Sequence, residues 1–353
     1  MSRFFSKKYI DLTPYVPGEQ PRGGGFIKLN TNESPFPPSA KALEAARKAA
    51  ENVNLYSDPS CARLRETAAA AYGVRPGNII CGNGSDELLN FAFMAYCDET
   101  HPAVFPDISY GFYPVFALQN RVPFTQIPLA EDLSMDVRKL RAAGGVLFIA
   151  NPNAPTGLLL GTGEIEELLL SDPARMVVVD EAYIDFGGES AVKLIEKYDN
   201  LLVIQTFSKS RSMAGARLGL AFAQESVIAD LETLKYSLNP YNVNAVTQAM
   251  GVAALEDRGY MLDNCRTVIE NREMTKEALR SAGFEVTDSA ANFVFAKHPD
   301  AGGAELYAKL REKGILVRHF SSPARISDYN RITVGTRDQM EAFIKAAKEC
   351  IGQ

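Results

Sequence analysis

The chain has 353 residues, 46% of them hydrophobic, which is enough for a large buried core and about two domains. Its formal net charge is -6 and it contains no block of Lys and Arg, so nucleic acid is not expected as a partner. An anionic small ligand would therefore be held by a few placed cations and backbone amides in a defined pocket.

The cysteines, the apolar runs and the histidines argue against a disulfide-bonded, a membrane and a metal-binding protein. The five cysteines form no CxxC pair, which indicates reduced thiols and a cytoplasmic protein. The N-terminal segment lacks the apolar core of a signal peptide, and no apolar run reaches the roughly 18 residues that span a bilayer, so no membrane association is expected. The three histidines lie far apart without metal-ligand spacing, so no metal site is predicted.

Residues 1–38 are rich in proline and glycine, which favours an extended N-terminal arm. Apolar residues at helical spacing then follow Ser39, a candidate N-cap, and a second helix is predicted near 61–72, ending at Gly73. The regular part of the chain is therefore expected to begin with helices.

Short runs that are apolar at every position then alternate with helical stretches. Such runs are typical of strands buried on both faces of a parallel sheet. The predicted strands are 79–81, 103–105, 146–150, 176–179, 201–206 and 218–223. Residues 39–242 are thus predicted to form an α/β, three-layer large domain with a mostly parallel sheet. The segment between the last two strands is too short for a crossover helix, which favours an antiparallel last strand.

The remainder of the chain, 243–353, is predicted to form a smaller α+β domain. One or two long amphipathic helices are expected within 243–282, after a break at Pro240. The other predicted elements are strands at 284–286, 293–296, 315–317 and 331–334, and helices at 303–313 and 337–350.

Four polar segments follow predicted strands of the large domain, where open α/β sheets bind their ligands. They are GNGSDE at 82–87, NPNAPTG at 151–157, the carboxylate Asp180 that ends MVVVD, and Lys209 in the hydroxyl-rich QTFSKS. Asp180 either caps a helix or meets a cation such as a protonated pyridine nitrogen. Lys209 is either a solvated surface residue or a partly desolvated amine whose ammonium form is disfavoured by Arg211 and Arg217, as Schiff-base chemistry requires.

The two loops have comparable alternatives. The glycine-rich segment is either a simple capped turn or a set of free amides at a helix start that suits a phosphate ester. The Asn153 loop can aim an amide at a phenolate oxygen, although as a bare turn it would mean little. Together, a ring-nitrogen acid, an amine, an anion cradle and oxygen donors form the set needed for pyridoxal 5'-phosphate (PLP) chemistry.

In this order and at these separations, GNGSDE, NPNAPTG, VVVDEAY and TFSKSRSMAGARLG resemble the segments of fold-type-I PLP enzymes. The chain more narrowly resembles the histidinol-phosphate aminotransferase family, through LNTNESPFPPS and NLYSDP before the large domain and ANFVF, GILVRHF and RITVGTRDQM in the small one. The resemblance covers essentially the whole chain and implies a PLP-dependent aminotransferase. Arg211 departs from it, since the family often has an aromatic residue there.

The resemblance implies a role for each matching residue. Lys209 carries the cofactor and then moves a proton between the substrate α-carbon and the cofactor, and Asp180 binds the pyridine nitrogen. The other implied cofactor contacts are Tyr183 and Asn153 on the ring oxygen, Tyr110 on the ring face, and Ser85, Asp86, Ser208 and Arg217 on the phosphate. Tyr56 would reach the cofactor phosphate of the neighbouring subunit, which implies a homodimer with shared sites.

The resemblance also implies how a substrate anion is held. Arg337 and Arg318 would grip it, because the planar guanidinium binds phosphate or carboxylate bidentately. Tyr15 and Asn292 would line the same site. Exposed ion pairing is the other interpretation of the two arginines.

The leading hypothesis is transfer of the amino group from L-histidinol phosphate to 2-oxoglutarate, giving imidazole acetol phosphate and L-glutamate, in histidine biosynthesis. An aminotransferase of aromatic amino acids is the nearest alternative, since a pocket that takes imidazole can take phenyl. A PLP-dependent decarboxylase of a phosphorylated amino acid is a weaker alternative. A non-catalytic PLP-binding sensor is disfavoured because no helix-turn-helix or basic segment precedes the arm.

Overall fold

The computed structural model of the chain describes residues 2–10, 12–13, 17–21 and 25–353. In chain order, the strands are β1 (Ile27–Lys28), β2 (Ile79–Gly82), β3 (Ala103–Pro106), β4 (Phe124–Ile127), β5 (Val146–Ala150), β6 (Val177–Asp180), β7 (Leu201–Thr206), β8 (Gly219–Phe222), β9 (Glu285–Val286), β10 (Phe293–Lys297), β11 (Ile315–Leu316), β12 (Arg318–His319) and β13 (Asn330–Thr333). The α-helices are α1 (Ala40–Ala50), α2 (Ala62–Tyr72), α3 (Ser85–Tyr96), α4 (Tyr113–Asn120), α5 (Val137–Ala142), α6 (Thr162–Ser171), α7 (Glu225–Leu238), α8 (Ala245–Glu256), α9 (Arg258–Ser281), α10 (Gly303–Glu312) and α11 (Arg337–Cys350).

A seven-stranded sheet in the order β2-β8-β7-β6-β5-β3-β4 forms the centre of the larger unit. Only β8 runs antiparallel to its neighbours β2 and β7, and the other pairs are parallel. The predicted α/β class, the mostly parallel sheet and the antiparallel last strand are therefore confirmed. The edge strand β4 was not predicted from the sequence, because the exposed residues Thr125 and Gln126 interrupt any apolar run.

Helices cover both faces of this sheet and produce the predicted three layers. One apolar core packs α3, α4 and α7 against the sheet, with residues such as Leu88, Phe116 and Leu231. The other core packs α2, α6 and α8 against the opposite face, with residues such as Leu64 and Leu168. Strands buried on both sides need continuous apolar sequence, which explains why the pattern located most of them.

A second sheet, antiparallel and in the order β12-β13-β10-β9, forms the smaller unit with α9, α10 and α11. Strand β1 from the N-terminal arm pairs in parallel with β11. Leu29 from the same segment lies in the core of the smaller unit. The arm therefore contributes to this unit although it stands some 290 residues earlier in the chain.

Helix α8 packs against α1 and α2 of the larger unit, whereas α9 contributes to the core of the smaller one. The sequence predicted a large domain at 39–242 and a small one at 243–353. We propose instead that the two units meet near Arg258, where α9 begins. Among the described residues, no helix is long and apolar enough to cross a membrane.

Candidate active site

A cavity of about 200 Å³ lies where the central parallel strands of the large sheet end. Eight of the residues proposed from sequence line it: Ser85, Asp86, Tyr110, Asp180, Tyr183, Ser208, Lys209 and Arg217. Thr31 and Glu33 of the arm also line it, and no sequence signal had assigned them to the site. The fold therefore assembles one site from six separate chain segments.

Asp180 is the last residue of β6 and is buried at one end of this cavity. Its Oδ2 accepts a hydrogen bond from the Tyr113 hydroxyl at 3.1 Å, and its Oδ1 accepts one from the Ala182 amide at 3.3 Å. Burial raises the pKa of Asp180 to about 7, against the lowering effect of the Tyr113 hydrogen bond. Such a carboxyl is strongly stabilised in its charged form by an adjacent cation.

Lys209 follows β7 and directs its amine into the same cavity. Nζ donates to the Thr31 carbonyl at 3.4 Å and lies 5.8 Å from the ring centre of Tyr183. Burial, together with the positive charges of Arg331 and Arg217, lowers the pKa of Lys209 to about 8. The amine is therefore neutral, and nucleophilic, in a useful fraction of molecules near neutral pH.

Arg211, which sequence had suggested as a cation beside Lys209, points elsewhere. Its guanidinium pairs with Asp185 at 3.3 Å and donates to the Tyr72 hydroxyl at 3.0 Å, on the other side of the loop. Arg331 thus acts on the lysine in the place expected for Arg211.

The far end of the cavity is built around the start of α3. Asp86 accepts hydrogen bonds from the Tyr110 hydroxyl at 2.8 Å and from Arg217 Nη2 at 3.0 Å. Gly84 precedes the helix with φ of +81°, and a Cβ on Gly219 would lie 2.6 Å from the Gly84 backbone. Ser85 and Asp86 of the first helical turn line the cavity, and the amides of that turn have no partner within the helix, as an anion site requires.

Asn153 lies deeply buried beside the cavity but does not line it. Its Nδ2 donates to the Ile108 carbonyl at 2.9 Å and to the Thr156 hydroxyl at 3.1 Å, and its Oδ1 accepts from Ser109. The predicted donor is therefore occupied in joining its own loop to the segment after β3, and Tyr183 alone of the predicted pair lines the cavity.

A second cavity of about 360 Å³ adjoins the first and shares Thr31, Tyr110, Tyr183 and Lys209 with it. Arg318 of β12 and Arg331 of β13 line this outer cavity. Their guanidinium carbons lie 5.8 and 5.7 Å from the ring centre of Phe320. The two cations therefore stand on a shared aromatic surface, facing the cavity that leads to Lys209.

Arg337, the other predicted anion-binding residue, does not line either cavity. It begins α11, its side chain is 58% exposed, and Nε pairs with Glu341 one turn along at 2.6 Å. Arg331, six residues earlier in the same motif, occupies the position that had been assigned to it. A charged residue within the otherwise uncharged strand RITV was the signal that could have found Arg331.

The other predicted contacts lie apart from the cavities or outside the described residues. Tyr56 is 83% exposed and stacks on Tyr241 with ring centres 4.5 Å apart. Asn292 is buried behind the outer cavity and donates to the Asn32 carbonyl at 3.0 Å. Tyr15 lies outside the described residues. Within the described part of the chain, no cluster of His, Cys, Asp or Glu could hold a metal ion.

The donor set fits three groups of PLP: the ring nitrogen, the aldehyde and the phosphate. A carboxyl with a raised pKa suits a protonated pyridine nitrogen, an amine with a lowered pKa suits the aldehyde carbon, and helix amides with Arg217 and Ser208 suit a phosphate. The fold and this site define the class of PLP-dependent transferases.

The family model for aminotransferase class I and II matches residues 25–346. The chain belongs to the class I and II aminotransferases, so the predicted enzyme class is confirmed. It is 47% identical over 351 residues to histidinol-phosphate aminotransferase 1 of Bradyrhizobium diazoefficiens, a match that covers 99% of this chain and 100% of that protein. It is also 47% identical over 347 residues to histidinol-phosphate aminotransferase of Pseudomonas putida, covering 98% and 99% of the two chains.

Solved structures support the fold. Histidinol-phosphate aminotransferase from Sinorhizobium meliloti in complex with pyridoxal-5'-phosphate superposes with a TM-score of 0.90 at 23% identity, over 99% of this chain and 98% of that one. Aspartate aminotransferase from Thermotoga maritima gives 0.82 at 21% identity, over 93% and 92%. At these identities the structures confirm the predicted fold and do not distinguish among substrates.

Proposed function

We propose that the protein is a cytoplasmic homodimer that transfers the amino group of L-histidinol phosphate to 2-oxoglutarate with PLP. The observation that carries the proposal is the position of Lys209, between the buried Asp180 of the inner cavity and the two arginines of the outer one. The full-length similarity to histidinol-phosphate aminotransferases supports the same substrate.

In the inner cavity, Asp180 holds the protonated ring nitrogen and Tyr110 covers the ring. Bound PLP supplies an electron sink for the bonding electrons left when the substrate α-carbon loses its proton. Lys209 would take that proton with its neutral amine and return it to the cofactor carbon on the other side of the amino nitrogen, because a single amine can reach both positions. The first turn of α3, Ser208 and Arg217 hold the phosphate and fix the ring for this transfer.

In the outer cavity, Arg318 and Arg331 bind the anion of the substrate. A guanidinium presents donors in a fork that matches phosphate or carboxylate, so the pair can serve the phosphate of one substrate and a carboxylate of the other. Ping-pong chemistry requires one site for both, and a shared anion site meets that requirement.

The proposal of a homodimer is supported by large apolar residues that remain exposed in a single chain. Leu55, Tyr56 and Tyr241 are exposed together with Val53 and Leu238, although each is large and apolar. An exposed apolar surface of this kind favours association, and a two-fold interface would bring Tyr56 to the site of the partner subunit.

The test is the visible absorption spectrum of the PLP-loaded protein before and after addition of L-histidinol phosphate. We expect the cofactor band to shift with this donor and to recover with 2-oxoglutarate, whereas Lys209→Ala shows neither change. An unresponsive band would contradict the substrate, and a response to phenylalanine instead would favour the aromatic alternative. Carbon dioxide release without 2-oxoglutarate would favour the decarboxylase.

A further inference from the structure

Residues 318–326 of the smaller unit form one wall of the outer cavity. Arg318, Phe320, Ser322, Pro323 and Ile326 of this segment all line it. The opposite wall, from Asp107 to Tyr110, belongs to the larger unit. The size and shape of the substrate space therefore depend on how the segment is held against the larger unit.

Arg325 makes that connection. Its guanidinium donates to the Leu129 carbonyl at 3.1 Å and the Ala130 carbonyl at 2.6 Å, and it pairs with Asp107 Oδ2 at 3.3 Å. Asp107 is itself fixed, since its Oδ1 accepts the Leu129 amide at 2.9 Å. A fork of donors thus spans three acceptors on the larger unit, a geometry that a single ammonium cannot reproduce.

The contact also changes the charge of the cavity. Asp107 lines the outer cavity, where a substrate phosphate must approach Arg318 and Arg331. Pairing with Arg325 compensates a carboxylate that would otherwise repel that phosphate. The contact therefore has a geometric and an electrostatic effect on the same step, which is binding of the anion.

We propose that Arg325 is a positioning residue for substrate: it fastens the 318–326 segment to Asp107 and the 129–130 carbonyls and so sets affinity for the anionic substrate without touching it. Phe320 transmits the effect, because both cavity arginines lie over its ring. The identity of the substrate rests on the proposed function, whereas the fastening does not.

The test compares Arg325→Ala and Arg325→Lys with Arg266→Ala, which removes an exposed ion pair to Asp263 within one helix. For Arg325→Ala we expect KM for L-histidinol phosphate to rise by about tenfold, the value of one lost charged hydrogen bond, with kcat within about threefold and the cofactor spectrum unchanged. Arg325→Lys should recover part of the loss, and Arg266→Ala should match the wild type.

Hydrogen exchange of the full-length protein gives a readout that needs no substrate. Amides of 318–326 should exchange faster in Arg325→Ala than in Arg266→Ala, while β6 and β7 keep their protection. Unchanged KM and unchanged exchange would overturn the proposal, as would a loss confined to kcat or to cofactor retention. If the wild type does not accept histidinol phosphate, the proposed function fails, and the exchange measurement still decides the role of Arg325.

Discussion

Lys209 combines burial with two cationic neighbours, and its lowered pKa has consequences at the level of a single residue. Only the neutral amine captures PLP, so the rate of cofactor binding to the cofactor-free protein should rise with pH and reach half its maximum near pH 8. Stopped-flow absorbance, recorded in about six buffers between roughly pH 6.5 and 9.5, measures this binding rate. A rate independent of pH would contradict the lowered pKa.

The lowered pKa of Lys209 also reduces the free energy of unfolding of the cofactor-free protein. The unfolded chain keeps its proton up to about pH 10.5, whereas the folded protein loses it near pH 8, so the free energy of unfolding rises with pH between these values. At pH 7 the full penalty applies, and Lys209→Met should stabilise the cofactor-free protein by at most about 3 kcal/mol, at 1.36 kcal/mol per pKa unit. Urea unfolding at pH 7 checks the sign, and a destabilised variant would argue against it.

Asp180→Asn should retain the side-chain shape and lose the charge. We expect PLP to bind more weakly and turnover to fall by about a hundredfold, because a charged hydrogen bond of up to about 3 kcal/mol is lost from the ring nitrogen. Circular dichroism should show an intact fold. Turnover close to that of the wild type would remove Asp180 from its proposed role.

Sequence identified the residues whose chemistry is unusual for their position, such as a carboxylate at the end of an apolar strand. It did not separate Arg331 from Arg337, because the motif gives spacing but not the direction of each side chain. The sequence also could not predict that the Asn153 amide bonds to Ile108 and Thr156 instead of lining the cavity, because these bonds depend on how the loops pack. The direction of a side chain and the acceptors that compete for its donors are determined only in the folded state.

At the level of elements, the joint between β8 and α3 determines the phosphate end of the site. A Cβ on Gly219 would lie 2.6 Å from both the Gly84 carbonyl carbon and the Ser85 nitrogen, which are backbone atoms with little freedom to move. Gly219→Ala should therefore shift the start of α3, destabilise the protein by about 1 to 3 kcal/mol and weaken PLP binding. Gly163→Ala is the matched control, since its Cβ would meet no atom within 4 Å.

Fluorescence titration of PLP and thermal unfolding of both glycine variants supply the measurement. An affinity in Gly219→Ala equal to that in Gly163→Ala would show that the turn adapts. Helices were predictable from their apolar period and buried strands from their continuous apolar runs, whereas β1 (Ile-Lys) and β12 (Arg-His) contain charged or polar residues and form no such run.

For the whole molecule, the proposed dimer with shared sites predicts complementation between two damaged chains. Lys209→Ala and Tyr56→Ala homodimers should each be impaired at limiting PLP. A mixed dimer places both changes at one site and leaves the other site intact, so mixing after dissociation should restore activity. Light scattering checks the mass, and a monomer, or mixing without recovery, would contradict the arrangement.

Pairing of the N-terminal arm with β11 also orders events during synthesis. The Asn32 backbone amide donates a hydrogen bond to the Thr333 hydroxyl, 301 residues later in the chain, and the carbonyl of the adjacent Thr31 accepts one from Lys209. Thr333 must therefore have left the ribosome before the wall around the lysine can close. Nascent chains that end before Thr333 should leave this amine accessible, so we expect the cofactor to be acquired only after the smaller unit has been synthesised.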